Sequence, residues 1–189
     1  MANVLFTNVA YVKEFTIIDD NVDEKNIRIA IKEAQEIEIR RYIGSGLYDE
    51  IAGQIQNSTL TALNQTLLDS YIQPALVKWV VYRAAPFFVY KFTNKNISRK
   101  NSDNSSGVDF NELDRVMEQL RNDAEYYTRR MVEYLLENET SYPLYQNPGN
   151  GIDTIFPSYD AFTCSIFLGG TKKNPTSYPS YGERCCDNE

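Results

Sequence analysis

The side chains able to do chemistry in this chain are carboxylates, hydroxyls, three thiols and a small basic cluster; histidine is absent. Without it the commonest general base and metal ligand is missing, and every Ser–His, Cys–His and HExxH arrangement is ruled out. Two groups of carboxylates lie close in sequence: Glu33, Glu36 and Glu38, and Asp109, Glu112 and Asp114. A di-iron type of carboxylate site would add a Glu-x-x-His pattern, so both groups read as solvated helix faces. Ser45 stands in a Gly-Ser-Gly triplet, but it follows a helical pattern rather than a strand and has no histidine partner, so Gly44 and Gly46 read as turn residues. Cys164, Cys185 and Cys186 contain no CxxC pair. Adjacent cysteines bridge only in strained geometry, and a reduced cytosolic compartment is expected. Neither a GxxxxGK[ST] loop nor GxGxxG occurs. The expectation is a protein without catalysis, metal or cofactor.

The basic cluster is more informative. Lys91, Lys95, Arg99 and Lys100 fall within ten residues of a chain that carries 26 acidic against 19 basic residues, a net charge of −7. That balance argues against a broadly basic, nucleic-acid-coating surface. The cluster either blunts the edges of a solvated hairpin or contacts an acidic partner surface or phosphate. Fourteen tyrosines and nine phenylalanines add material suited to interfaces, because tyrosine is apolar at one end and can stay wet at the other.

These groups need elements to hold them. The pattern centres on Leu67–Ala85, where Leu68, Tyr71, Ile72, Ala75, Leu76, Trp79, Val80 and Tyr82 recur at helical steps and Val77 and Val81 fill the other side. A helix apolar nearly all round is buried on several sides, so this is the expected central helix, with Trp79 in the core. Lys78 and Arg83 interrupt it, and it is too short to span a membrane. Pro74 either kinks the helix or starts its buried half, and Pro86 is expected to end it. Upstream, Asp19–Glu24 starts a helix over about residues 22–42, with Ile27, Ile31, Ala34, Ile37 and Arg41 on one face and Glu38 beside it. Gly44 caps it, and a shorter helix with Leu47, Ile51 and Ile55 follows. Downstream, Leu113, Met117, Leu120, Ala124, Tyr127, Met131 and Tyr134 alternate steps of four and three, a seam for packing on the central helix.

Three segments depart from helix. Residues 1–20 are rich in β-formers and read as extended, with no basic n-region or long apolar core that would mark a signal peptide. Phe88, Tyr90 and Phe92 alternate with Val89, Lys91 and Thr93 before an Asn-Lys-Asn turn, which predicts a β-hairpin over about 87–101. From Ser141 on, the chain holds five of its seven prolines, five of its nine glycines and all its cysteines. It also carries Tyr142, Tyr145, Phe156, Tyr159, Phe162 and Phe167, with a possible strand at Ala161–Leu168. Disordered chain is usually poor in aromatics, so 141–189 reads as an irregular arm that orders on another subunit. The predicted architecture is mainly α: a small antiparallel helical bundle over 21–140 with a protruding hairpin, an extended segment at 1–20 and a long C-terminal arm at 141–189.

Four blocks together resemble the head–tail connector (adaptor) proteins of tailed bacteriophages, most of all the neck ring proteins of crAss-like phages. They are AQEIEIRRYIGSGLYDEI at Ala34–Ile51, LLDSYIQPALVKWVVYRAAPF at Leu67–Phe87, TNKNISRKNSDNSSGVDFNEL at Thr93–Leu113, and RNDAEYYTRRMVEYLLENETSYPLY at Arg121–Tyr145. Their order and spacing carry the likeness. Where relatives place glycine after TNK this chain has Asn96, which suits a similar turn. The resemblance implies a non-enzymatic virion protein, made in the host cytoplasm, that forms a ring, dodecameric as a rule, below the portal. Its implied partners are itself, the portal protein, the next tail or neck ring protein, and DNA passing through without sequence-specific binding; no membrane is implied. In this reading Lys91, Lys95, Arg99, Lys100, Tyr142, Tyr145, Phe156, Tyr159, Phe162 and Phe167 make subunit or portal contacts, and an acidic lumen keeps phosphate from sticking. The rival reading is a small helical DNA-binding regulator with residues 91–100 as a basic wing. Arg40-Arg41 and Arg129-Arg130 are sparse for a recognition helix.

Overall fold

A computed structural model describes residues 4–92, 97–99 and 110–159, without the side chains of 91, 92, 97–99, 110 and 111. The fold is mainly helical. Asn8 accepts a hydrogen bond from the Tyr11 amide and so starts α1, Val9–Phe15. The expectation of an extended segment over 1–20 is thereby corrected. The β-forming residues here yield to a capped turn that buries Val12. Asp23 caps α2, Glu24–Glu33, by accepting from the Lys25 amide. A π-helical turn, Ala34–Ile39, leads into α3, Arg40–Gln56.

That π turn shifts the phase of the buried stripe. The 3.6-residue period places Ile37 on the core face, yet Ile37 is 49 % exposed while Glu38 (7 %) and Ile39 are buried. The wider turn delays the helix by part of a step, so the residues after it face inward one position later. Thr61 caps α4, Ala62–Leu67, which passes through a second π turn, Leu68–Ile72, into α5, Gln73–Val89. The second π turn sits just before Pro74. The Gln73 amide reaches back to the Leu68 carbonyl, and the proline, which has no amide to give, falls in the first turn of α5. The helix does not stop at Pro86 as predicted but continues to Val89. Pro86 lies one turn from the end, so it removes a single ladder bond and the helix closes with the Tyr90 amide on the Pro86 carbonyl.

Residues 87–89 are therefore helical, and a β-hairpin over 87–101 is not supported. Among the described residues the strands are two three-residue segments, β1 (Tyr90–Phe92) and β2 (Ile97–Arg99), which pair antiparallel with Tyr90 opposite Arg99. α6, Phe110–Glu137, follows. α5 packs against both α2 and α6. Trp79 is buried there and donates from Nε1 to Thr128 Oγ1 at 2.9 Å; the Thr128 hydroxyl in turn donates to the Ala124 carbonyl. Ala124 and Met131 of the predicted seam are fully buried, as is Leu135 just beyond it.

After α6 come a 3-10 turn, Glu139–Ser141, and the short α7, Pro143–Gln146. The expectation of an intermolecular arm from residue 141 on is corrected as far as Tyr159. Tyr142 and Tyr145 are buried in the chain's own core, and Tyr142 donates to the Leu63 carbonyl at 3.1 Å. Their rings replace the apolar area that a Pro/Gly-rich stretch cannot supply from aliphatic residues. Residues 160–189, including the suggested strand at Ala161–Leu168, lie outside the described residues.

Candidate interaction surface

The backbone of α3 breaks at Gly44, with φ +76° and ψ 161°, a region open in practice to glycine alone. The break frees the Ser45 amide at the restart of the helix, and a strap formed by residues 147–159 satisfies it. The Ser45 amide donates to the Ile155 carbonyl at 2.9 Å, and the Ile155 amide donates back to Ser45 Oγ at 2.8 Å. The Ser158 amide donates to the Arg41 carbonyl at 3.0 Å. A methyl group on Gly44 would stand 2.9 Å from the ring of Pro157, and one on Gly46 would stand 2.7 Å from Pro148 Cα. The Gly-Ser-Gly triplet is thus more than a turn: it is the seat of the strap.

A second clasp lies on the neighbouring π turn. Gln35, buried, accepts from the Phe6 amide at 2.8 Å and donates to the Val4 carbonyl at 2.9 Å and to the Tyr48 hydroxyl at 2.7 Å. Tyr48 donates to Glu36 at 2.8 Å. Burial, reinforced by that bond to Glu36, pushes the Tyr48 pKa well above its ordinary range. Glu38 pairs with Arg83 of α5 in a mostly enclosed ion pair. Among the described residues no three acidic or thiol side chains converge on a point that could hold a metal. None of the helices there is long and apolar enough to cross a membrane.

The residues predicted to make contacts fall in different places. Tyr142 and Tyr145 are core. Burial and the neighbouring Tyr134 hydroxyl raise the Tyr142 pKa. Tyr159 is half-buried, its ring edge-on to Tyr145. Phe156 is exposed on the strap. Lys91 and Arg99 lie on β1 and β2 with side chains that are not described, and Lys95, Lys100, Phe162 and Phe167 lie outside the described residues. Of the four whose side chains are described, Tyr145 and Tyr159 meet, whereas Phe156 faces outward.

The structure shows instead an apolar display on the strap and its approach: Ile152, fully exposed, with Ile155, Phe156 and Leu144 each more than a third exposed. The isoleucines carried no sequence signal, because a loop has no period against which an outward apolar residue stands out. A groove between residues 5–9 and α2, lined by Lys25, Arg28, Ile29 and Lys32, was also missed. Those cations are spaced along one helix face and read as an ordinary solvated side.

No curated protein and no solved structure matches the chain. One family, described as "Family of unknown function (DUF6712)", matches residues 39–155, from the end of the first π turn to the strap residue that Ser45 holds. The match covers more than half of the chain and takes in the seat and the strap as far as Ile155, and the protein belongs to that family.

Proposed function

We propose that this protein is a non-enzymatic structural component of a phage virion, forming a ring, dodecameric as a rule, beneath the portal that joins head to tail and extends the DNA exit channel. The observation that carries the reading is the apolar display on a strap fastened to the core. Ile152, Ile155 and Phe156 are held outward by fixed backbone bonds at Ser45 and Arg41. Exposed apolar residues on a fixed loop invite cover by a partner. The four sequence blocks that resemble connector proteins supply the identity of that partner, either a further copy, the portal protein or the next tail ring. In this reading Lys91, Lys95, Arg99 and Lys100 act as steering charges towards a neighbour. Phe162 and Phe167 are further contact residues in this reading. No cofactor and no membrane take part, and DNA passes without sequence-specific contact.

Negative-stain electron microscopy of the purified protein, alone and mixed with the portal ring, tests the proposal. Rings, alone or seated on the portal, are expected. A chain that stays monomeric in both samples overturns it. Salt-sensitive, sequence-selective binding to duplex DNA would favour the regulator reading instead.

A further inference from the structure

The strap leaves the core through Pro148-Gly149-Asn150-Gly151, which holds the chain's one Asn-Gly pair. Asparagine followed by glycine carries a reaction of its own. The glycine amide nitrogen attacks the asparagine side-chain carbonyl, unobstructed because glycine has no Cβ. A fold suppresses the reaction where that amide is already held in a hydrogen bond. Asn57 is the suppressed case. It is exposed, but the Ser58 amide that would attack it donates to the Ile55 carbonyl at 3.2 Å, and its own amide donates to the Gly53 carbonyl at 3.0 Å. Asn150 has neither restraint. It and Gly151 are exposed. Among the described residues no hydrogen bond engages the Asn150 side chain, its amide or the Gly151 amide. Gly149, before it, has φ +108° and open space where a side chain would stand, so the backbone there turns without meeting a neighbour.

We propose that Asn150 is a site of spontaneous covalent modification and that its isoaspartate product releases the strap from its seat. The Gly151 nitrogen gives up its proton to solvent and bonds to Asn150 Cγ. The Cγ–Nδ2 bond breaks, and that nitrogen leaves with a proton as ammonia. Water then opens the resulting succinimide ring at either of its carbonyls. Opening at Cγ gives aspartate; opening at the main-chain carbonyl gives isoaspartate, whose backbone runs through Cβ and Cγ. One water is consumed, one ammonia is released, and nothing is oxidised or reduced. Both products place an ionised carboxylate, at neutral pH, where asparagine was neutral. Isoaspartate also adds one carbon to the main chain between Pro148, packed on Gly46, and Ile155, bonded to Ser45. The turn between them is already closed by the Thr154 amide on the Gly151 carbonyl at 3.1 Å. The new charge stands just before that turn, which holds Asp153, and the Asp153 carbonyl accepts from Ser45 Oγ at 3.4 Å. Added length and like charge both act against the bonds at Ser45. The chemistry needs no partner and proceeds whether or not the chain forms a ring.

The test holds the full chain near neutral pH, folded and unfolded in guanidinium chloride, and follows Asn150 by peptide mapping and enzymatic methylation of isoaspartate. Conversion in the folded chain is expected within about fivefold of the unfolded rate, since a segment that opens at almost no cost protects little. A folded chain that converts more slowly than that overturns the site. Gly151 does not have a positive φ, so alanine fits its backbone. Gly151→Ala should slow conversion about tenfold or more by obstructing the attack, and an unchanged rate in that variant also overturns the site. For the release, the isoaspartate form is separated from the unmodified chain by ion exchange, and the amide exchange of the two is compared. Ser45 and Ile155 should exchange about fivefold faster or more in the modified chain, with the amides of α5 unchanged. Equal exchange at Ser45 and Ile155 would leave the modification standing and overturn the release. Faster exchange throughout α5 would mean a general loss of stability and overturn it as well.

Discussion

Thr128 is a polar residue with no exposed surface in the α5–α6 seam, and its hydroxyl is the acceptor for the Trp79 indole. Replacing it by valine keeps the volume and leaves a buried N–H unpaired, so Thr128→Val should cost about 1–3 kcal/mol. The denaturation midpoint reads this directly, by Trp79 fluorescence in the Thr128 variant and by circular dichroism in Trp79→Ala, for which a larger loss of ~3–5 kcal/mol is expected. Gly44→Ala should cost roughly 1–3 kcal/mol from backbone strain alone. It should also speed amide exchange at Ser45 and Ile155, because the added methyl group meets Pro157. Much at this scale was legible in the sequence. An all-round apolar helix put Trp79 in the core, and Gly44 marked the helix break. What the sequence could not show is that the Gly-Ser-Gly triplet receives Pro148 and Pro157, since that contact joins residues more than a hundred positions apart.

At the scale of elements, most helices followed from period and capping, and the departures have local causes. The π turn at Ala34–Ile39 changed which side of the helix is buried, so Ile37 points outward and Glu38 inward. A fixed 3.6-residue period cannot register such a shift. α1 formed where β-formers suggested extension, because a single Asn cap outweighed weak strand propensity. The Pro/Gly-rich composition after Ser141 signalled the irregular backbone of residues 147–159 but not what it packs on. Truncation separates the strap from the remaining tail. Ending the chain after Tyr159 should leave the denaturation midpoint within experimental error of wild type. Ending it after Gln146 should lower the midpoint and expose the amides at Ser45 and the seat at Gly44. Equal stability of the two truncated chains would show that the strap contributes nothing to the core.

For the whole molecule, the tyrosines set an alkaline limit. Burial raises the pKa of Tyr11, Tyr42, Tyr48 and Tyr142 above the ordinary 10.0. The folded state therefore keeps protons that the unfolded chain releases above about pH 10, so stability is full below that pH and falls as pH rises beyond it. Each fully shifted tyrosine contributes a slope of up to about 1.4 kcal/mol per pH unit. Urea titrations between pH 8 and pH 11 should show this decline, and Tyr48→Phe or Tyr142→Phe should flatten it. An unchanged slope in both variants would assign the alkaline loss to other groups.

The two clasps on residues 35–48 have a mechanical consequence. Val4 and Phe6 are tied to Gln35, while Ile155 and Ser158 are tied to Ser45 and Arg41, so both flanks of the domain are anchored on one elbow. Tension applied between the flanks loads that elbow, together with the bond from Gln73 at the start of α5 to the Phe6 carbonyl, before it reaches the α5–α6 pair. Under force the flanks should peel away at low load while the central helices stay folded, so that a protein pulled from both ends lengthens before it gives way.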